Sequence, residues 1–195
     1  MSGPILLSYV ALWLVVSVET IAILALYHHF AQMYLTSREG RATQGPVIGS
    51  RLRPIEGETL TGTLLQLPAA GVAGLLVFVS TKCPLCDRLR PDMARFDAAN
   101  AGITMIVICQ GRRQDVHRWA GNLADTIDVV IDPKQLIGGQ CGVGLLPFCI
   151  GVDSSGVVRA KGIINDSEGL EAIAGEALES RTVRRAAPVL QEVGQ

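Results

Sequence analysis

Apolar positions are distributed unevenly along the chain. Residues Pro4 to Tyr27 (PILLSYVALWLVVSVETIAILALY) form an apolar run broken by Ser8, Ser17, Glu19 and Thr20. At 1.5 Å rise per residue, a helix of this length crosses a hydrocarbon core of about 30 Å. A cleaved signal peptide fits less well. No Lys or Arg precedes the run, the run is too long, and no clear small-residue cleavage site follows. Residues 4–27 are therefore read as a retained transmembrane anchor. Glu19 is the odd residue in it, costing about 2.5–3.5 kcal/mol at a helix centre on insertion scales. It is either a tolerated acid near one end of the core or a contact with another membrane helix.

The pattern changes after the anchor. Residues 28–54 are polar and irregular, first a helix extension and then a linker punctuated by Gly40, Gly45, Pro46, Gly49 and Pro54. His28 and His29 are adjacent, so on a helix they point apart and read as interfacial residues rather than metal ligands. From Ile55 a folded domain is expected. Glu58 to Leu67 reads as short strands around Gly62. Leu75–Val79 is a continuous apolar run, the pattern of a strand buried on both faces. Pro84 to Ala99 reads as a helix stopped near Gly102, and Ile103–Cys109 as a second buried strand.

Gln114–Leu123 follows as a helix, with Val116, Trp119, Ala120 and Leu123 at helical spacing. Ile127–Ile131 is a third strand, ended by Asp132-Pro133, and Lys134–Gln140 a short helix. Pro147–Val152 and Val157–Gly162 read as strands joined at Ser154-Ser155-Gly156. Asn165 opens a last helix, with Glu168 in capping-box spacing, running to about Ser180. Residues 181–195 read as a flexible tail. Strands alternating with helices, then a hairpin, then a helix give an α/β plan with a mixed sheet.

Composition adds little to this plan. The chain has 195 residues, a formal net charge of −1 and 49% hydrophobic residues, much of that excess lying at the N-terminus. The near-neutral balance, with no interleaving of basic and aromatic residues, gives no sign of a nucleic-acid partner. Arg112, Arg113, Arg181, Arg184 and Arg185 read as solvated surface charge, and Asp115 and His117 as capping and surface residues. No cofactor is implied.

The candidate chemistry lies in Ser80-Thr81-Lys82-Cys83-Pro84-Leu85-Cys86-Asp87. Cys83 falls at the N-cap of the predicted helix and Cys86 in its first turn. Unpaired N–H groups and the positive helix end favour a thiolate there, below the free value of about 8.5. Pro84 suits the first helical position. Lys82 would add positive charge if it points inward, and Asp87 would oppose it. Cys83 is then the attacking thiol and Cys86 the resolving one. Half of a zinc site would use the same spacing, but no second Cys-x-x-Cys or suitably spaced His pair exists, so no metal site is expected. Five cysteines, an odd number, argue against a purely structural disulfide framework. Cys109 and Cys149 are expected in the core and Cys141 at the surface.

These residues resemble the thioredoxin superfamily. Pro91, five residues after Cys86, stands where thioredoxins carry a helix-kinking proline. Gly142-Val143-Gly144-Leu145-Leu146-Pro147-Phe148 resembles the segment ending in the family's cis-proline. The resemblance implies a thioredoxin-like mixed sheet flanked by helices over residues 55–180, with a cis Leu146–Pro147 bond against the dithiol. The backbone of Leu146 would there pair with an extended client segment. Pro84, Leu85 and Lys82 would support the site. The extra strand and helix before Pro147 are similar to the redoxin branch (TlpA- and ResA-like proteins), and the anchor and linker to the MauD family. That family implies a thiol–disulfide oxidoreductase acting on a partner protein's cysteines, in disulfide formation or maturation of an extracytoplasmic enzyme. The membrane contact read above for Glu19 would be with a membrane redox partner. A thiol peroxidase and a metal chaperone or assembly subunit are the alternatives. Against the peroxidase, Leu76 and Ser80 occupy the Pro and Thr positions of that family's motif.

Three departures stand out. Val77 sits where thioredoxins hold a buried acid, Asp87 replaces the usual base after the motif, and Pro84-Leu85 replaces Gly-Pro between the cysteines. Sidedness has two opposed indications. Arg38 and Arg41 alone would place the domain in the cytoplasm. The resemblance places it outside, where disulfides persist, and the outer face is the reading taken.

Overall fold

A computed structural model describes residues 3–36 and 44–185. The chain divides into two units, residues 1–43 and 44–195.

The first unit contains one helix, α1 (Gly3–Thr36). Its segment Leu7–Ala25 is long and apolar enough to cross a membrane. Two of the hydroxyls in that segment bond within the helix: Ser17 Oγ donates to the Trp13 carbonyl at 2.8 Å and Thr20 Oγ1 to the Val16 carbonyl at 2.7 Å. These two hydroxyls are thereby satisfied within the helix, as apolar surroundings favour. Glu19, the acid in this segment, is exposed on the helix surface. Arg38 and Arg41, which alone pointed to a cytoplasmic domain, lie outside the described residues.

The second unit is built on a five-stranded sheet of order β5-β4-β3-β6-β7, formed by β3 (Gly74–Ser80), β4 (Thr104–Gln110), β5 (Asp128–Ile131), β6 (Phe148–Val152) and β7 (Val158–Ile163). β3 pairs parallel to β4 and antiparallel to β6, so it lies at the centre of a mixed sheet. Successive side chains of a strand face opposite ways. Leu75, Val77 and Val79 accordingly join one core with Leu89, Met93 and Phe96 of α2 (Pro84–Ala99), Val116 and Trp119 of α3 (Arg113–Ala120), and Leu170 and Ile173 of α5 (Ser167–Arg185). Leu76 and Phe78 join the other core with Leu67 and Ile137. The continuous apolar run thus marks a strand buried on both faces. Gly151 lets α5 approach β6: a Cβ there would stand 2.9 Å from Ile173 Cγ2 and 3.0 Å from its carbonyl oxygen.

The second face is covered by α4 (Leu136–Gln140) and by an antiparallel hairpin, β1 (Ile55–Glu58) with β2 (Leu64–Leu67). Arg113, expected as solvated charge, ties this hairpin to the start of α3. It donates to the Leu60 carbonyl at 2.9 Å and pairs with the Glu58 carboxylate. The stretch 44–54, read above as the end of a linker, is hydrogen-bonded into the domain. Gly45 N–H donates to the Gly142 carbonyl at 2.9 Å, Leu52 N–H to Gly156, and Leu52 is buried.

Two buried carboxylates do structural work that local patterning hides. Asp132, noted above only as a strand stop, is 3% exposed and accepts from the N–H groups of Leu136 (2.7 Å) and Gly138 (2.9 Å). It caps α4 from the end of β5. Asp153 opens the β6–β7 hairpin, accepting from Ser155 N–H and Oγ, Val157 N–H, and Arg159 Nε and Nη2. Burial pushes its carboxyl up, but these bonds outweigh it and hold the group below the usual carboxylate range. The last helix differs from expectation at both ends. Asp166, not Asn165, caps it, accepting from Gly169 N–H at 2.9 Å. The helix continues to Arg185, and residues 186–195 of the expected tail lie outside the described residues.

Removing the cap in Asp132→Ala strands two N–H donors and should destabilise the domain by about 2–3 kcal/mol, read as a lower denaturant midpoint. Asp153 gives a pH signature. Its folded pKa is depressed, so its contribution is full above the unfolded carboxylate value of about 3.9 and is lost as pH falls through the folded value. Asp153→Asn should therefore flatten the acid limb of the stability profile, and an unchanged acid limb would contradict the assignment.

Candidate active site

The site begins where β3 ends. Thr81 N–H donates to the Gln110 carbonyl of the neighbouring strand at 3.1 Å, and Cys83 N–H turns back to the Ser80 carbonyl at 3.1 Å. This turn delivers Cys83 to the N-cap of α2 in an extended conformation (φ −99°, ψ 110°), with Pro84 at the first helical position. Cys83 Sγ accepts from Cys86 N–H at 3.2 Å, the bond an N-cap side chain makes to a free helix-start donor. Cys86 lies one turn in, fully buried beside Leu89 and Met93, whereas Cys83 is half-buried. The two Cα atoms are 5.2 Å apart and the sulfurs are at disulfide distance.

Across from Cys83 is the loop that precedes β6. The Leu146–Pro147 bond is cis, and the Leu146 carbonyl oxygen is 3.9 Å from Cys83 Sγ. Among the described residues the backbone of Leu146 makes no turn or ladder hydrogen bond. The structure thus brings Cys83, Cys86, Pro84, Leu146 and Pro147 together. Leu85 is 46% exposed beside them. Lys82 is also exposed, but it lines a cleft of about 510 Å³ on the β4 side, with Thr81, Gln110, Arg112 and Asp115, of which Cys83 is not part. Pro91 lies inside α2 as expected.

The other cysteines are set apart chemically. Cys109 and Cys149 are buried in the sheet, as expected. Cys141, expected at the surface, is also buried. It follows Ile137 by one helical turn, and both pack into the second core. Burial pushes the Cys109 thiol up to about 12, with Asp87 adding to it, and the Cys141 thiol up to about 11, with Asp132 adding to it. Burial raises Cys149 further still. Val77 is fully buried opposite Cys149 in the β3–β6 register, so the position of the thioredoxin acid is apolar on every side.

Gln44 is the site residue that sequence reasoning missed. Its side-chain Oε1 accepts from the N–H groups of Gly144 (3.2 Å) and Leu145 (2.9 Å), directly before Leu146. The partners are a hundred residues apart, so no local period could reveal them. After reduction, brief alkylation of the native protein at pH 8 should label Cys83 and leave Cys109, Cys141 and Cys149 unmodified in the mass spectrum. Equal labelling of all five cysteines would contradict the burial described here.

No protein-family model matches the chain. It is 26% identical to the methylamine utilization protein MauD of Paracoccus denitrificans over 183 residues, 89% of this chain and 88% of the relative. Among solved structures it is similar to a putative protein disulfide isomerase from Bacteroides thetaiotaomicron (TM-score 0.62, 17% identity, 73% of this chain and 98% of the other). StoA from Bacillus subtilis is a further neighbour (TM-score 0.55, 18% identity, 66% and 98%). The chain has the thioredoxin fold, and over most of its length it is similar to MauD.

Proposed function

We propose that this chain is a membrane-anchored thiol–disulfide oxidoreductase acting on cysteines of a partner protein. The observation that carries the reading is the half-buried sulfur of Cys83. It is held at a helix start by Cys86 N–H and faces the backbone carbonyl of Leu146. In the oxidising direction a client thiolate attacks Cys83 Sγ, and the Cys83–Cys86 bond breaks with Cys86 leaving as thiolate. A second client thiolate then attacks the mixed disulfide and releases Cys83. The client loses two electrons and two protons, and the dithiol gains them. The reverse sequence reduces a client, with Cys83 attacking and Cys86 resolving. Leu146 pairs with the extended client segment, and Pro147, Pro84 and Leu85 shape the contact.

The helix Leu7–Ala25 supports anchoring as a single pass in the cell membrane. The similarity to MauD supports a client that is an extracytoplasmic enzyme matured through its disulfides, and hence a catalytic unit on the outer face. Glu19, a lone acid within the span, contacts a membrane redox partner that restores the dithiol to its starting state.

A Cys86→Ser variant should accumulate mixed disulfides through Cys83, seen as adducts on non-reducing gels that Cys83→Ser lacks, with the client named by mass spectrometry. No adduct from cells grown under inducing conditions would count against the reading. For the membrane, a C-terminal phosphatase fusion should be active on the outer face, and Glu19→Leu should lower recovery of a co-purifying membrane protein.

A further inference from the structure

We propose that Gln44 is a positioning residue for exchange with polypeptide clients, holding the Leu146 backbone in register with Cys83. This rests on the exchange reading above. The loop between α4 and β6 is tied down at both ends. Val143 N–H donates to the Gly138 carbonyl at 2.8 Å, and the Pro147 carbonyl accepts from Ile164 N–H at 3.3 Å. Between those ties, the N–H groups of Gly144 and Leu145 converge on one acceptor, Gln44 Oε1. The next residue is Leu146, whose carbonyl faces the reactive sulfur at 3.9 Å.

Gln44 is itself clamped. Lys161 Nζ donates to the carbonyls of Gln44 and Gly45. Gly45 N–H reaches Gly142 at 2.9 Å. Gly45 lies at φ +71°, and a Cβ there would stand 3.0 Å from the Phe148 ring, so this close approach requires glycine. The amide of Gln44 is therefore a fixed acceptor rather than a mobile surface group. It touches neither the sulfurs nor the client. Its effect passes through two backbone bonds to the residue that would pair with an extended client.

A small dithiol reaches Cys83 without needing Leu146, and a peptide does not. The test uses the oxidised full-length chain in detergent, reduced either by dithiothreitol or by a dicysteine peptide. In each case two electrons and two protons pass to the Cys83–Cys86 pair, and quenched alkylation with mass spectrometry reads the rate. Gln44→Leu should lower the second-order rate constant with the peptide about tenfold, the scale of one lost net hydrogen bond, and leave that with dithiothreitol within about twofold. Gln44→Glu, which keeps the acceptor, should restore the peptide rate to within about threefold. An unchanged peptide rate in Gln44→Leu overturns the proposal, and so does an equal loss with both reductants. A wild-type chain that either reductant fails to reduce overturns the exchange reading beneath it.

Discussion

One sulfur at one helix start is the constraint on which the rest of the second unit depends. The first turn of a helix has N–H groups without intrahelical partners. Cys83 Sγ takes one of them, from Cys86. For that geometry to recur in every molecule, the preceding strand must end at the same residue. β3 lies between β4 and β6 at the sheet centre, with Ser80 registered on Gln110, and Thr81 bonds the same strand end. Two apolar cores, one on each face of β3, make that register costly to slip, because a one-residue shift would exchange the faces of Leu75, Val77 and Val79 with those of Leu76 and Phe78. The burial of the sheet and the access left to Cys83 are therefore two ends of one arrangement.

The same arrangement separates reactive from inert thiols. Cys83 is reachable at the end of the strand, and Cys86 lies behind it at the helix base. Cys109, Cys141 and Cys149 are removed from exchange by desolvation, which disfavours the thiolate that attack requires. Beneath the dithiol, Val77 contributes packing where a carboxylate would contribute a proton acceptor.

Legibility in the sequence followed the range of the interactions. Strand β3, helix α2 and the cysteine pair rest on local signals: an unbroken apolar run, Pro84 at a helix start, sulfurs one turn apart. The parts that were not legible are held by partners far away in the chain. Gln44 reaches Gly144 and Leu145, and Arg113 reaches Glu58 and Leu60. Asp132 was visible as a strand stop, but its reach to the N–H groups of Leu136 and Gly138 depends on the turn between them. Cys141 had a usable signal, its spacing from Ile137, which a five-residue helix is too short to make distinctive. Asp166 and Asn165 are adjacent residues of similar capping strength, so the choice between them was a matter of one-residue register.

The central claim is that Cys83 and Cys86 form a reversible two-electron couple. Equilibrating the full-length chain across a series of glutathione redox ratios, followed by acid quench, alkylation and peptide mass analysis, addresses it directly. The expected result is one sigmoidal transition confined to the peptide carrying Cys83 and Cys86, with Cys109, Cys141 and Cys149 reduced throughout. A peptide that stays fully reduced at every ratio, or a transition that involves one of the buried cysteines instead, would contradict it.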